Sequence, residues 1–229
     1  MLRPLTPYPE TPRLETGDRL DQPTFHRLYE EMPGNFKAEL IQGTVIVPSP
    51  LRPNHGKTHG LVMGWLMAYH AATPGTDMFD NTTALLPPDD EPQPDAMLII
   101  KPDHGGQTRD EDGYLAGAPE LIVEVASSSI SYDLHAKYDT YRQEGVREYV
   151  VVVLKEREVR WFALELGRFV PLPADEDGIY RSKVFPGLWL DAAALLAGDA
   201  RQMLDVVERG IATPEHAAFV ERLRGPAQA

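Results

Sequence analysis

A short aliphatic run that contains one acid constrains this chain more than any other stretch. The run consists of Leu121, Ile122, Val123 and Val125, and Glu124 interrupts it. Aliphatic and β-branched residues in close succession predict a strand buried on both faces of a sheet. A carboxylate in such a strand is costly to bury unless a cation, hydrogen-bond donors or a metal ion accompany it. We therefore expect Glu124 to belong to a site.

The residues after this strand supply a candidate partner for the acid. Serines 127–129 suit a turn and a helix N-cap, and a helix is predicted to begin near Ser131. On that helix Asp133, Lys137 and Tyr141 recur every four residues, so they share one face directed towards the strand end. Lys137 could stabilise charge on a phosphoryl oxygen, or it could bridge Asp133 as a solvated helix lysine.

A second acid is predicted to lie near Glu124. Asp95 directly precedes residues 96–100, which read as another buried strand. If the two strands are neighbours, their carboxylates meet at one end of the sheet and repel each other unless a cation lies between them. Oxygen ligands without cysteine favour Mg²⁺ or Mn²⁺. The alternative is that Asp95 caps its strand while Glu124 forms a buried ion pair with Lys137.

Several further residues are candidates for the same site. Glu39 is a lone acid in an apolar strand, where it could add an oxygen ligand or lie on an exposed edge. His55 and His59 have the i,i+4 spacing of a helical metal pair but lack an HExxH pattern, so a contact from His55 to a substrate phosphate is preferred. Ser127 is a further candidate for substrate contact. Tyr141 could either bind phosphate or pack in the core.

Composition limits the classes of function. The chain has 229 residues, no cysteine and a net charge of −13, which excludes disulfides, thiolate zinc sites and cysteine nucleophiles. An acidic chain does not resemble a protein that coats nucleic acid, although a local basic groove remains compatible with it. No apolar run reaches the roughly 18 residues of a membrane helix. We therefore expect a cytoplasmic protein with no membrane segment.

The chain is predicted to form one α/β domain in which helices flank a central mixed sheet. An extended proline-rich arm is expected over residues 1–20, the domain over 21–197 and a helical C-terminal tail over 198–229. Within the domain we expect a single strand over 78–86 and a flexible loop over 101–118. The acidic run 89–91 is expected to be a solvated loop.

An ordered set of motifs links the chain to a known family. They are E-L-I-x-G at 39–43, S-P and then histidine at 49–55, Q-P-D at 93–95, G-A-P-E-L-I-V-E-V-x-S at 117–127, D-x-x-x-K-x-x-x-Y at 133–141 and G-V-x-E-Y at 145–149. Together they closely resemble the Uma family of proposed restriction endonucleases, a branch of the PD-(D/E)XK phosphodiesterase superfamily. The resemblance covers residues 24–195.

This resemblance implies a restriction-endonuclease-like core with Mg²⁺ or Mn²⁺ at one end of the sheet, and hydrolysis of DNA by metal-activated water. The implied catalytic residues are Glu39, Asp95, Glu124 and Lys137. The implied metal ligands are Asp95, Glu124 and the main-chain carbonyl of Val125. The superfamily's usual E-x-K lysine would fall at Ala126, and Lys137 on the following helix would replace it.

The sequence also departs from the family pattern. Gln42 and Thr44 occupy hairpin positions where the family usually has acids, while the four implied catalytic positions are intact. Two alternatives to a DNA endonuclease therefore stay open. One is a non-catalytic binding or interaction module on a nuclease fold, and the other is a phosphodiesterase that acts on a different substrate.

Exchange of the proline-rich arm and the helical tail between subunits would join two copies of the chain, so we expect a homodimer. Light scattering should then return twice the mass of one chain. A mass equal to that of one chain would contradict the expectation.

Overall fold

The computed structural model describes residues 14–127 and 135–225. The predicted helix start near Ser131, Asp133 on its first turn, and residues 1–13 of the predicted arm lie outside these ranges. Residues 14–20, which were assigned to the arm, pack against the domain: Leu14 is buried, and the Leu20 amide donates to the Gly43 carbonyl at 2.9 Å.

The described residues form six helices and thirteen strands. The helices are α1 (Gln22–Glu30), α2 (Pro53–Ala72), α3 (Ala136–Glu144), α4 (Ala192–Ala197), α5 (Ala200–Ile211) and α6 (Pro214–Leu223). The strands are β1 (Glu39–Ile41), β2 (Thr44–Ile46), β3 (Thr76–Asp80), β4 (Ala84–Leu85), β5 (Ala96–Ile100), β6 (Arg109–Glu111), β7 (Tyr114–Ala116), β8 (Leu121–Ala126), β9 (Glu148–Val153), β10 (Glu158–Glu165), β11 (Arg168–Pro171), β12 (Ile179–Arg181) and β13 (Trp189–Asp191).

Six strands build the central sheet in the order β11-β10-β9-β8-β5-β3. β8 and β9 are parallel, whereas the other neighbouring pairs are antiparallel, so the sheet is mixed as predicted. Every residue of β8 and of β9 is buried. Continuous burial along both strands means that both faces of the sheet are covered.

A different helix covers each face of β8. Trp65 and Leu66 of α2 share one core cluster with Val123, whereas Tyr141 of α3 shares the other with Ile122. Because side chains alternate along a strand, Glu124 projects to the same face as Ile122 and therefore towards α3. The sequence alternation thus decides which helix meets the buried acid.

The C-terminal helices belong to the body of the domain. Met203 of α5 and Phe219 of α6 lie in the same core cluster as α2 and the sheet. α2 is also tied to the region before α4, because Trp65 Nε1 donates to the Trp189 carbonyl at 2.8 Å. Residues 200–223 therefore pack into the core and do not form a separate tail. Among residues 14–127 and 135–225, no helix combines the length and apolar character needed to cross a bilayer.

Two segments have structures that differ from those predicted. The single strand expected over 78–86 is divided into β3 and β4, which lie in different sheets, and Asn81 between them has φ 46°. The expected flexible loop over 101–118 contains the β6–β7 hairpin. Asp112 and Gly113 turn this hairpin at φ 53° and 87°, and the Asp-Gly pair is a strong sequence signal for such a turn.

The acidic run at 89–91 is only in part the expected solvated loop, because Asp89 is exposed whereas Asp90 and Glu91 are buried. Glu91 is fully buried and accepts a hydrogen bond from Gln22 Nε2 at 2.7 Å. Asp90 accepts from the Gln42 amide at 2.7 Å and from Thr140 Oγ1 at 3.0 Å, which ties the β1–β2 hairpin to α3. These donors come from elements far apart in the sequence, so no local pattern could reveal that they offset the burial of both carboxylates.

Glu148 is a buried carboxylate that anchors the segment before β13. It accepts hydrogen bonds from Ser182 Oγ at 2.7 Å and from the amides of Lys183 and Val184 at 2.6 and 3.2 Å. Burial raises the pKa of Glu148 above its ordinary 4.5, although these hydrogen bonds oppose the shift. A carboxyl whose folded pKa exceeds its unfolded one costs the fold stability as the pH rises from the unfolded value through the folded one.

We predict that the unfolding free energy of the wild type falls as the pH rises above 4.5, and that it falls less in Glu148→Gln, because the amide carries no charge to bury. Glu148→Ala should instead lower the unfolding free energy by about 1–3 kcal/mol, because its buried donors lose their acceptor. Urea denaturation at several pH values measures both effects. Glu176→Gln, at an exposed loop position, is the control. Parallel pH profiles for wild type and Glu148→Gln would contradict the prediction.

Candidate active site

Strand register brings the two predicted acids to adjacent positions. β5 and β8 are antiparallel, and Ala96 pairs with Val123 at the end of their ladder. Asp95 and Glu124 each lie one residue beyond this pair, so the register, continued by one step, sets them opposite each other. Opposed residues of an antiparallel pair are close neighbours in space, so the register places both carboxylates at one edge of the sheet.

Lys137 connects two buried acids. Its Nζ lies 2.8 Å from Glu39 Oε1 and 2.9 Å from Glu124 Oε1. Glu39 is 8% exposed, and Glu124 and Lys137 are each 4% exposed. The buried ion pair that the sequence offered as an alternative is present, and it also includes Glu39. This contact requires β1, β8 and α3 to converge, and both carboxylates share one ammonium.

Hydrogen bonds from Tyr141 and Gln93 complete this cluster. Tyr141 is fully buried one helical turn after Lys137, and its hydroxyl donates to Glu124 Oε1 at 2.8 Å. Burial raises the pKa of Tyr141 well above 10, and the charges of Glu124 and Glu39 raise it further, so the phenol stays protonated. The Gln93 amide donates to Glu39 Oε1 at 2.8 Å. Tyr141 therefore contacts the carboxylate and not the exposed side of the site, where a substrate would approach.

Asp95 is held in its ionised form. Its Oδ2 accepts from the Val125 amide at 2.7 Å and lies 3.3 Å from His55 Nε2. Burial by itself raises the pKa of Asp95, but the hydrogen bond and charge of His55, the Val125 amide and the Lys137 ammonium together outweigh it, and the pKa falls below 3.8. Asp95 Oδ1 makes no hydrogen bond to any residue in the described part of the chain.

Two histidines from α2 approach Asp95 in different ways. His55 Nε2 faces the carboxylate, whereas His59 Nε2 lies 2.8 Å from the main-chain oxygen of Asp95 and 3.2 Å from Asp80 Oδ1. The i,i+4 spacing thus serves to clamp one residue rather than to present two ligands to one ion. His55 Nδ1 is buried and has no hydrogen-bond partner among the described residues. The contact from His59 was not expected, although its spacing was visible in the sequence.

The donor set matches a hard divalent cation. Asp95, Glu124 and the Val125 carbonyl offer oxygen only, and Mg²⁺ in phosphate chemistry is commonly held by one or two carboxylates together with water and phosphate oxygens. Glu39 is a third carboxylate nearby, and the Lys137 ammonium contacts it and Glu124. Over residues 14–127 and 135–225, no group of three or more His, Cys, Asp or Glu side chains is arranged to hold a metal. A divalent cation held here would therefore need oxygens of water or substrate as further ligands.

An open cavity lies beside these residues. Its volume is about 470 Å³, and both His55 and Ser127 line it. Ser127 directly follows β8 and is half-buried. His55 also contacts Asp95, so this cavity lies next to the candidate site. Among the predicted substrate contacts, His55 and Ser127 are placed at the cavity and Tyr141 is not.

Comparisons with known proteins agree with this architecture. The family model described as "Uma2: Putative restriction endonuclease" matches residues 22–193, which confirms the resemblance carried by the motifs. No curated protein matches the chain. Among solved structures, the chain is similar to the crystal structure of "a putative nuclease belonging to DUF820" from Anabaena variabilis. The two are 16% identical over 75% of this chain and 97% of that chain, with a TM-score of 0.58, which shows a shared fold.

We predict that Lys137→Met destabilises the fold by about 3–5 kcal/mol, because two buried carboxylates lose the ammonium they share. Urea denaturation should show this loss of unfolding free energy. Lys183→Met is the matched control, since Lys183 forms an exposed ion pair with Glu165. Loss of the Lys183 charge should change the unfolding free energy by no more than about 1 kcal/mol. Equal losses in the two variants would contradict the prediction.

Proposed function

This chain belongs to the Uma2 family of putative restriction endonucleases, whose model matches residues 22–193, and from that premise we propose that it is a metal-dependent endonuclease that hydrolyses DNA. One observation carries the proposal. Asp95 and Glu124 occupy opposed positions at the edge of β5 and β8, and the Lys137 ammonium lies 2.9 Å from Glu124 Oε1. Acids and a lysine in this relation suit phosphodiester hydrolysis.

Asp95, Glu124 and the Val125 carbonyl would hold the ion. When bound, Mg²⁺ or Mn²⁺ supplies an activated water and stabilises negative charge on the phosphate. The protein contributes the shape and charge of the site. The Val125 amide and His55 orient Asp95, and they keep it ionised at neutral pH. The carboxylate is therefore ready as a ligand without a prior loss of a proton.

Lys137 has two roles in this proposal. Its ammonium orients Glu124, and its positive charge lies where it can stabilise negative charge that develops on the phosphoryl oxygens. Glu39 holds the ammonium from the other side, at 2.8 Å, so it acts as a positioning residue. Hydrolysis adds water across one P–O bond: the attacking water loses a proton and the leaving oxygen gains one.

A non-catalytic binding module on the same fold is the second candidate. It is favoured by the hydrogen-bonded cluster around Glu124, in which Lys137 and Tyr141 both contact the carboxylate. Such a cluster can stabilise the fold without taking part in any reaction. Calorimetric titration with Mn²⁺ separates the two candidates, because the nuclease requires binding that is lost in Asp95→Asn. A phosphodiesterase for another substrate would bind the metal equally and would cleave RNA or nucleotides in place of DNA.

We predict that the purified protein nicks supercoiled plasmid DNA in the presence of Mg²⁺ or Mn²⁺ and is inactive in EDTA. Asp95→Asn and Glu124→Gln should each lower the nicking rate by about 10²–10³-fold, because each removes a charged group that stabilises the reacting centre. Glu176→Gln, at an exposed loop position, is the control and should match wild type.

Circular dichroism of each variant separates loss of chemistry from loss of fold. The proposal is wrong if well-folded wild type leaves DNA intact with both metals. Cleavage confined to RNA or to nucleotides would transfer the chemistry to another substrate.

A further inference from the structure

Two cavities meet at the start of α2. The outer one, of about 470 Å³, is lined by Arg52, Asn54, His55, Ser127, Leu154 and Lys155 among others. The inner one, of about 240 Å³, is lined by Asn54, Lys57, Leu154 and Arg157, together with the end of α4. Asn54 and Leu154 line both, so the cavities adjoin. We name the pair the basic groove.

Charge sets the basic groove apart from the rest of the molecule. Arg52, Lys57, Lys155 and Arg157 supply its four cations, and no aspartate or glutamate of the described residues lines either cavity. None of the four forms an ion pair with a described carboxylate. The nearby acids Glu156 and Glu158 are instead engaged by Arg160, at 2.8 and 3.1 Å. Four such cations together are unusual in a chain with 35 acidic and 22 basic residues.

The backbone holds these cations in place. Arg52 is the N-cap of the 20-residue helix α2, whose positive dipole end adds to the charge at the outer cavity. Lys155 and Arg157 lie in the tight turn between β9 and β10. Arg157 has φ 54°, a left-handed conformation that costs energy for a residue with a side chain. Its Nη2 donates to the Leu196 carbonyl at 3.3 Å, which fixes the guanidinium beside the inner cavity.

The basic groove lies next to the candidate active site, and His55 is the residue that links the two. His55 lines the outer cavity, and its Nε2 lies 3.3 Å from Asp95 Oδ2. Ser127 lines the same cavity, and it directly follows β8, the strand that carries Glu124. The acids themselves do not line the groove, so a ligand in it would lie one residue away from them, on the other side of His55 and Ser127.

We infer that the basic groove binds the phosphates of a DNA strand and guides that strand to Asp95 and Glu124. This inference rests on the proposed function and names the surface that holds its substrate. A row of cations without carboxylates attracts a polyanion, and release of counterions from the phosphates favours its binding. The groove also explains how a chain with a net charge of −13 can approach DNA, because the attraction is local.

Fluorescence anisotropy of a labelled DNA oligonucleotide tests the inference. The full chain is titrated in EDTA, so binding is measured without hydrolysis. The double variant Arg52→Glu/Lys155→Glu should bind at least about tenfold more weakly than wild type. The slope of log affinity against log salt should be shallower by roughly 1.4–1.8, because each of the two lost phosphate contacts removes about 0.7–0.9. Both positions are exposed and lie outside the proposed catalytic set.

The matched control is Arg168→Glu/Arg209→Glu, which makes the same change of charge at two exposed positions elsewhere. Arg168 follows the β10–β11 turn, so it lies at the opposite end of the eight-residue strand β10 from Arg157, about 25 Å away at the rise of a strand. This variant should bind DNA almost as wild type does. Equal weakening in both double variants would overturn the inference, as would wild type that fails to bind DNA in EDTA.

Further outcomes separate the groove from the chemistry. If groove-dependent binding is measured but no DNA is cleaved with metal, the groove stands and the proposed function fails. If wild type nicks DNA while the groove variant binds normally, the function stands and the groove does not.

Discussion

Burial of Glu39 and Glu124 depends on the ammonium of Lys137, which lies 2.8 and 2.9 Å from them. Each acid comes from a different strand and the lysine from α3, so this contact joins the β1–β2 hairpin, the central sheet and the helix. Removing one partner of such a group leaves charge without compensation in a poorly solvated place. The ion cluster therefore supports both the packing of α3 and the arrangement of the candidate site.

Two charge environments lie side by side in this fold. The sheet edge carries carboxylates that suit a divalent cation, and the basic groove next to it carries four cations and no carboxylate among the described lining residues. His55 belongs to both, since it contacts Asp95 and lines the groove. If the acids hold a cation and the groove holds phosphate, as proposed above, the two environments together match the charge pattern of a phosphodiester substrate with its metal.

Local patterns predicted much of the fold but only part of its polar interior. The run 121–126 and the Gln42-Gly43 turn were recognised because strand periodicity and turn chemistry are local properties. The burial of Asp90 and Glu91 was not predicted, because their hydrogen-bond donors come from α1, the hairpin turn and α3. The 78–86 segment was misjudged as well, because a backbone kink at Asn81 sends its halves to different sheets.

The sequence by itself determined the family, the mixed α/β class and the identity of the candidate acids and lysine, because these follow from residue order and short-range periodicity. Only the tertiary structure decided that Asp95 stands opposite Glu124, that Lys137 also holds Glu39, and that Tyr141 serves Glu124 from a buried position. The tertiary structure also decided that cations far apart in the sequence line one groove. Register, burial and charge clustering depend on contacts between segments far apart in the chain, which no local pattern encodes.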